Sequence, residues 1–129
     1  MKKLVLALVL FTALTSGALA QQAERFMQIT TVESVVGGGF GRSKMVITKE
    51  DGSQEEKDLE NLFSMTGINF KNIRANESLI LQTIKTYTDA GWKLKSTTPL
   101  TLSPGQSSNG IFMTRYLLVK EDKKDLTKG

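Results

Sequence analysis

Two stretches of this sequence hold side chains of kinds that can bind or react. Glu50, Asp51, Glu55, Glu56, Asp58 and Glu60 crowd carboxylates into one short segment. Carboxylate oxygens suit a hard cation such as Ca²⁺, and a pair of carboxylates flanking a sugar can cleave a glycosidic bond. The spacing departs from a calcium-loop pattern, and Lys49 and Lys57 interrupt it. Glycoside cleavage needs a deep cleft, which a chain of 129 residues seldom encloses. The reading that fits the composition is a solvated hairpin edge, where charge discourages unwanted strand pairing.

The second stretch is Gly37-Gly38-Gly39-Phe40-Gly41-Arg42-Ser43. Backbone N–H groups bare of side chains can wrap an anion. The segment nevertheless lacks the Gly-Lys-Ser/Thr ending of a phosphate loop, and it leads into a strand pattern, not a helix. Its plain reading is a hairpin connection, since glycines gather where strands turn. An aromatic and an arginine carried on such a loop are also what a recognition surface presents. Gly39, Phe40, Gly41 and Arg42 are therefore the expected ligand- or partner-binding residues.

The sequence contains no histidine and no cysteine. That removes the usual general base near neutral pH, thiol chemistry, disulfides, thiolate metal sites and every Ser-His or Cys-His arrangement. No catalytic residue, metal ligand or cofactor is expected. Other conspicuous residues have structural readings. Trp92, the single tryptophan, and Tyr87 belong to core packing at a helix-to-strand corner. Arg115 is expected to pair with an acidic residue on a neighbouring strand. Lys44, Lys49, Lys93 and Lys95 are solvated strand lysines, with a basic sheet face as the rival reading. Asn76-Glu77-Ser78 is a glycosylation sequon in form only.

The segments that must position these residues begin after residue 20. Lys2 and Lys3 precede an apolar run at 4–14, and Ala18-Leu19-Ala20 supplies a small-x-small cleavage site with Ala18 and Ala20 as its small residues. This is the pattern of a cleavable signal peptide. The run is shorter than the roughly 20 residues a membrane span needs, and no cysteine comes after it to carry a lipid. An exported chain with no stable membrane insertion after cleavage is expected, periplasmic or extracellular. Losing Lys2 and Lys3 lowers the formal net charge from +4 to +2, which does not indicate a nucleic-acid binder.

Residues 21–120 read as one small α+β domain, and 121–129 as a charged tail that frays. Residues 25–36 are rich in β-branched residues. Residues 43–49 alternate, with Met45 and Ile47 on one face and Lys44, Val46 and Thr48 on the other. Asp51-Gly52 suits a tight turn. Residues 54–59 fit either a returning edge strand or the start of a helix, with a helical turn expected at 60–65. Residues 66–75 read as a packed connector pinned by Ile68, Phe70 and Ile73. Asn76 is the expected N-cap of a helix reaching Ala90, on which Ile80, Leu81, Ile84 and Tyr87 recur at helical spacing. Gly91 is its natural C-terminal cap. Residues 92–98 form a strand, and Pro99 and Pro104 bracket a loop. Residues 111–120 form an apolar, central last strand. The expected architecture is an antiparallel sheet of about four strands with one long helix on a face, in the order strand, strand, helix, strand, strand.

Tyr87-Thr88-Asp89-Ala90-Gly91-Trp92-Lys93-Leu94 resembles the Gly-Trp-x-Leu helix-end signature of a family of small bacterial domains of unknown function. In that family a helix runs into Gly-Trp and two final strands complete a sheet. More broadly, Thr-Thr-Val-Glu-Ser (residues 30–34), Gly-Arg-Ser (41–43) and Thr-Arg-Tyr-Leu (114–117) resemble pieces of uncharacterised secreted proteins of Gram-negative bacteria. The resemblance implies the fold and brings no activity. The expected function is a non-catalytic binding or interaction module for an envelope or extracellular protein, able to pair two copies through an exposed edge strand. The alternatives are a small enzyme or accessory using carboxylate, serine or lysine chemistry, and a calcium-stabilised structural domain.

Overall fold

The computed structural model describes residues 23–36, 42–102 and 110–122. Positions 1–22, 37–41, 103–109 and 123–129 lie outside the described residues. They include the signal-peptide positions Ala18 and Ala20, and Gly39, Phe40 and Gly41 of the glycine loop. Pro104 and the last seven residues of the tail lie outside them too. The chain divides into two units, 1–23 with 121–129, and 24–120. In the first, the Asp122 N–H donates to the Ala23 carbonyl at 3.1 Å. The second carries the sheet and the helix.

Among the described residues the fold is α+β, with a five-stranded, mostly antiparallel sheet and one helix. The strands of the sheet are β1 (Glu24–Ser34), β2 (Ser43–Thr48), β3 (Gln54–Leu59), β6 (Lys93–Leu102) and β7 (Ile111–Glu121). Their spatial order is β3-β2-β1-β7-β6. A two-stranded hairpin, β4 (Phe63–Ser64) with β5 (Gly67–Ile68), precedes helix α1 (Phe70–Asp89). The pairs β1/β2, β2/β3 and β6/β7 are antiparallel. Past the strand ends, the Val35 N–H donates to the Gly110 carbonyl at 3.0 Å, so the end of β1 meets the start of β7.

Alternation in β2 places Ser43, Met45 and Ile47 in the interior and Lys44, Val46 and Thr48 towards the half-exposed face. Ile47 lies opposite Ile29, and Met45 opposite Thr31. Met27, Ile29, Met45, Ile47, Leu59 and Leu118 form the core, with Leu79, Ile80, Ile84, Tyr87, Trp92 and Tyr116 packed against it. Tyr87 and Trp92 thus serve the core, and the Arg25 guanidinium stands over the Trp92 ring at 5.8 Å.

One choice left open is now decided, and several expectations need correction. Residues 54–59 are wholly strand, paired with β2 from Ser43↔Leu59 to Thr48↔Gln54. This gives the sheet five strands and puts three of them before the helix. Their dense charge suits an edge, where side chains stay wet. Residues 60–65 form no helical turn but a strap and the first strand of the small hairpin. Pro99 lies inside β6, which runs ten residues and is exposed throughout; an edge strand tolerates a residue with no N–H. β7 is internal but not central, because β1 occupies the middle of the sheet.

The helix begins at Phe70, two turns earlier than expected. Asn69 is its N-cap, accepting from the N–H groups of Lys71 at 3.1 Å and Asn72 at 3.2 Å. The C-terminus closes as a Schellman motif. The Trp92 N–H reaches the Tyr87 carbonyl at 3.1 Å, and the Gly91 N–H reaches Thr88 at 3.0 Å. Gly91 has φ +91°, which explains why glycine stands there. Lys120 Nζ donates to the Ala90 carbonyl at 2.7 Å, putting a cation at the negative end of the helix.

Candidate functional site

The acidic segment is spent on local pairing. Lys44 Nζ lies 2.9 Å from Glu56 and 3.2 Å from Asp58, and these two carboxylates hold the Lys44 ammonium above its ordinary pKa. Glu55 lies 3.8 Å from Lys57 across the next position. Glu50 takes the Arg25 side chain at 2.9 Å. Asp51 accepts from the Ser53 N–H and hydroxyl within its own turn, bonds that hold its carboxyl below the usual range. Among the described residues no group of three His, Cys, Asp or Glu side chains converges as metal ligands.

Arg42, the described member of the glycine-loop group, is exposed. With Ser43, Lys44, Asp58, Leu59, Glu60 and Asn61 it lines a polar concavity of about 410 Å³. Both charge signs meet there, and its carboxylate Asp58 is already paired with Lys44. Lys44 and Lys95 do not form an unneutralised basic patch. Each is instead neutralised locally, with two strands between them, and Lys95 is paired to Glu24 at 2.9 Å. Arg115 is exposed and forms no ion pair among the described residues, contrary to expectation.

A different region offers a larger and more apolar concavity, and it stems from how α1 is seated. One face of the helix carries Asn72, Asn76, Leu79, Thr83 and Tyr87 at three- and four-residue spacing, and Asn76 and Thr83 are its buried residues. Asn76 is 2% exposed. Its carbonyl oxygen accepts from the Glu60 N–H at 2.8 Å, and its amide donates to the Glu60 carbonyl at 2.8 Å and to Glu33 Oε1 at 2.9 Å. Asn72 donates to the Asn61 carbonyl at 2.8 Å. The strap is fastened to the sheet as well. The Ser43 hydroxyl donates to Asn61 Oδ1 at 2.8 Å and accepts the Ser34 N–H at 2.9 Å, and the Leu62 N–H reaches the Ser34 carbonyl at 2.9 Å. Asn76 is therefore not a cap; it fastens an irregular backbone segment whose polar groups would otherwise lack partners.

The apolar stripe of the helix lies about a quarter turn away, one residue on at each step. Phe70, Ile73, Glu77, Leu81 and Ile84 mark its course, with Ile80 beside it. Because the polar face is the one pressed into the domain, this stripe is only partly covered. Leu81 is 68% exposed and Phe70 63% exposed. Between the stripe and the sheet runs a groove of about 530 Å³ lined by Glu33, Leu62, Ile73, Glu77, Ile80, Leu81, Ile84 and Tyr116. The lining is mostly aliphatic, with Glu33 and Glu77 as its carboxylates. Burial, and after it the nearby Glu33 carboxylate, raises the Tyr116 phenol above its ordinary pKa. Glu33 is fixed by Asn76, while Glu77 forms no ion pair or hydrogen bond among the described residues.

None of these residues stood out in the sequence as a site. Ile80, Leu81 and Ile84 carried the periodic signal of a buried face, and Glu33 and Tyr116 were strand residues without a motif. A usable signal was present in the width of the apolar sector. Phe70, Ile73, Ile80, Leu81 and Ile84 lie beside a buried strip that the asparagines and Thr83 already occupy. Compared with models of protein families, with curated proteins and with solved structures, the chain matches none. The site must be read from its own chemistry.

Proposed function

We propose that this chain is an exported, non-catalytic binding module that takes a protein partner of the cell envelope or extracellular space in the groove beside α1. One observation carries the reading: the helix buries its asparagine face and leaves its aliphatic stripe half open next to the sheet. Exposed aliphatic surface in a concave setting is where association gains most from excluding water. The walls are stiff, because α1 is held at Asn69, Asn72 and Asn76 and capped at Gly91, so little ordering cost falls on binding. Export is inferred from the pattern of residues 1–20. Arg42 and Phe40 remain a second contact surface within this proposal.

Affinity capture from envelope and medium extracts tests the reading, using wild type, Leu81→Glu, and a Phe40→Ala, Arg42→Ala double variant. A partner held by wild type and by the loop variant but lost with Leu81→Glu supports the groove. Loss only in the loop variant moves the binding face to the glycine loop. Equal capture by all three removes both surfaces from the proposal.

A further inference from the structure

The groove combines an aliphatic lining with carboxylates whose hydrogen-bonding capacity is only partly used among the described residues. Among the described residues its ionisable side chains are Glu33, Glu77 and Tyr116, and no described lysine or arginine lines it. Asn76 occupies only one Glu33 oxygen, Oε1, and so orients the carboxylate while leaving Oε2 without a hydrogen bond among the described residues. Glu33 is half-buried and Glu77 exposed, so both can take an incoming cationic donor, and charge-assisted hydrogen bonds to a carboxylate are the strong ones. An anionic lipid surface or acidic segment would meet like charge.

The stripe also runs past the groove, from Ile73 to Phe70, and both Leu81 in the groove wall and Phe70 beyond it are well exposed. A small molecule would leave that extension uncovered, since small-ligand sites enclose most of the ligand. An extended or helical peptide would cover it. Lysine and arginine can lay their methylene stems on apolar surface while the charged head reaches a carboxylate.

Resting on the groove as the binding face, we propose that its occupant is a basic, aliphatic peptide segment of a partner protein. One aliphatic side chain lies against Ile73, Ile80, Ile84 and Tyr116, and a neighbouring lysine or arginine meets Glu33 and Glu77. Glu33 and Glu77 then set specificity, and Asn76 is a positioning residue for Glu33.

The test is selection of random peptides displayed on phage against the full chain. Synthetic versions of the selected peptides are then titrated into wild type, Leu81→Glu, and a Glu33→Gln, Glu77→Gln double variant. The Gln changes keep shape and leave an acceptor for Asn76, and circular dichroism checks folding. The expected peptides pair Leu, Ile or Phe with Lys or Arg, lose binding in Leu81→Glu, and weaken roughly tenfold or more in the double variant. Replacing their basic residues by Gln should cost a similar factor. Peptides that need Leu81 but are neutral or acidic, and ignore the double variant, would overturn the basic occupant and leave the groove standing. Absence of any Leu81-dependent peptide would sink both. Concentration-dependent self-association abolished by Leu81→Glu would replace the peptide with a second copy of this chain.

Discussion

The two flanks of α1 are built on opposite principles. On one flank, Asn69, Asn72 and Asn76 face the helix start and the strap, and almost every polar atom there has a partner within about hydrogen-bond reach. On the other, Ile73, Ile80, Leu81 and Ile84 border a groove that the fold leaves partly empty. Directional bonds hold the first flank in one arrangement. Apolar contact on the second is non-directional and incomplete. The lesson is that this helix is oriented by specific hydrogen bonds on its polar side and packs Leu79, Ile80, Ile84 and Tyr87 against the core, while Leu81 and Phe70 stay open to another molecule.

The largest expected effect breaks the polar flank. Asn76→Ala strands the Glu60 N–H and carbonyl and releases Glu33, and should cost about 2–3 kcal/mol, read from urea denaturation midpoints. A loss under about 0.5 kcal/mol, the ordinary range of a surface change, would mean that the strap does not seat the helix.

Next comes a pH effect spanning the two sides. Burial, aided by Glu33 near Tyr116 and Glu55 near Tyr87, raises both phenols above the ordinary value of about 10. The folded state keeps these protons after the unfolded chain begins to lose them. Stability is therefore full below about pH 10 and falls as pH rises through the folded-state values. Urea midpoints measured across this alkaline range should decline, and Tyr116→Phe should flatten part of the decline. An unchanged slope in that variant would place Tyr116 outside the buried wall of the groove.

The smallest effect belongs to the open flank. Leu81→Gln should leave stability within about 0.5 kcal/mol of wild type, because the side chain is 68% exposed. A cost well above 1 kcal/mol would turn the stripe into core and remove the basis for a docking surface.

Much of the local structure was legible in the residues. The alternation of Met45 and Ile47 against Lys44, Val46 and Thr48 separated the two faces of β2 correctly, and the first is the buried one. Asp51-Gly52 made its turn, with Gly52 at φ +82°, and Gly91 closed the helix as expected. The helix start was misplaced because Asn69 and Asn76 are equally good caps on local grounds. The glycine-loop site could be traced only at Arg42. The groove was hidden because helical periodicity reports which residues share a face, and several residues of that face belong to an uncovered wall.

By itself the sequence determined which chemistries are missing, through the absence of His and Cys, and where the chain turns and caps, because those choices depend on residues within a few positions. Tertiary structure decided which side of α1 is buried and what Asn76 does. Those outcomes depend on a strap sixteen residues away in sequence and a carboxylate forty-three away. Burying Asn76 is favourable only because the Glu60 backbone and Glu33 arrive together to satisfy its amide. Residues that distant leave no periodicity in the chain from which their meeting could be read.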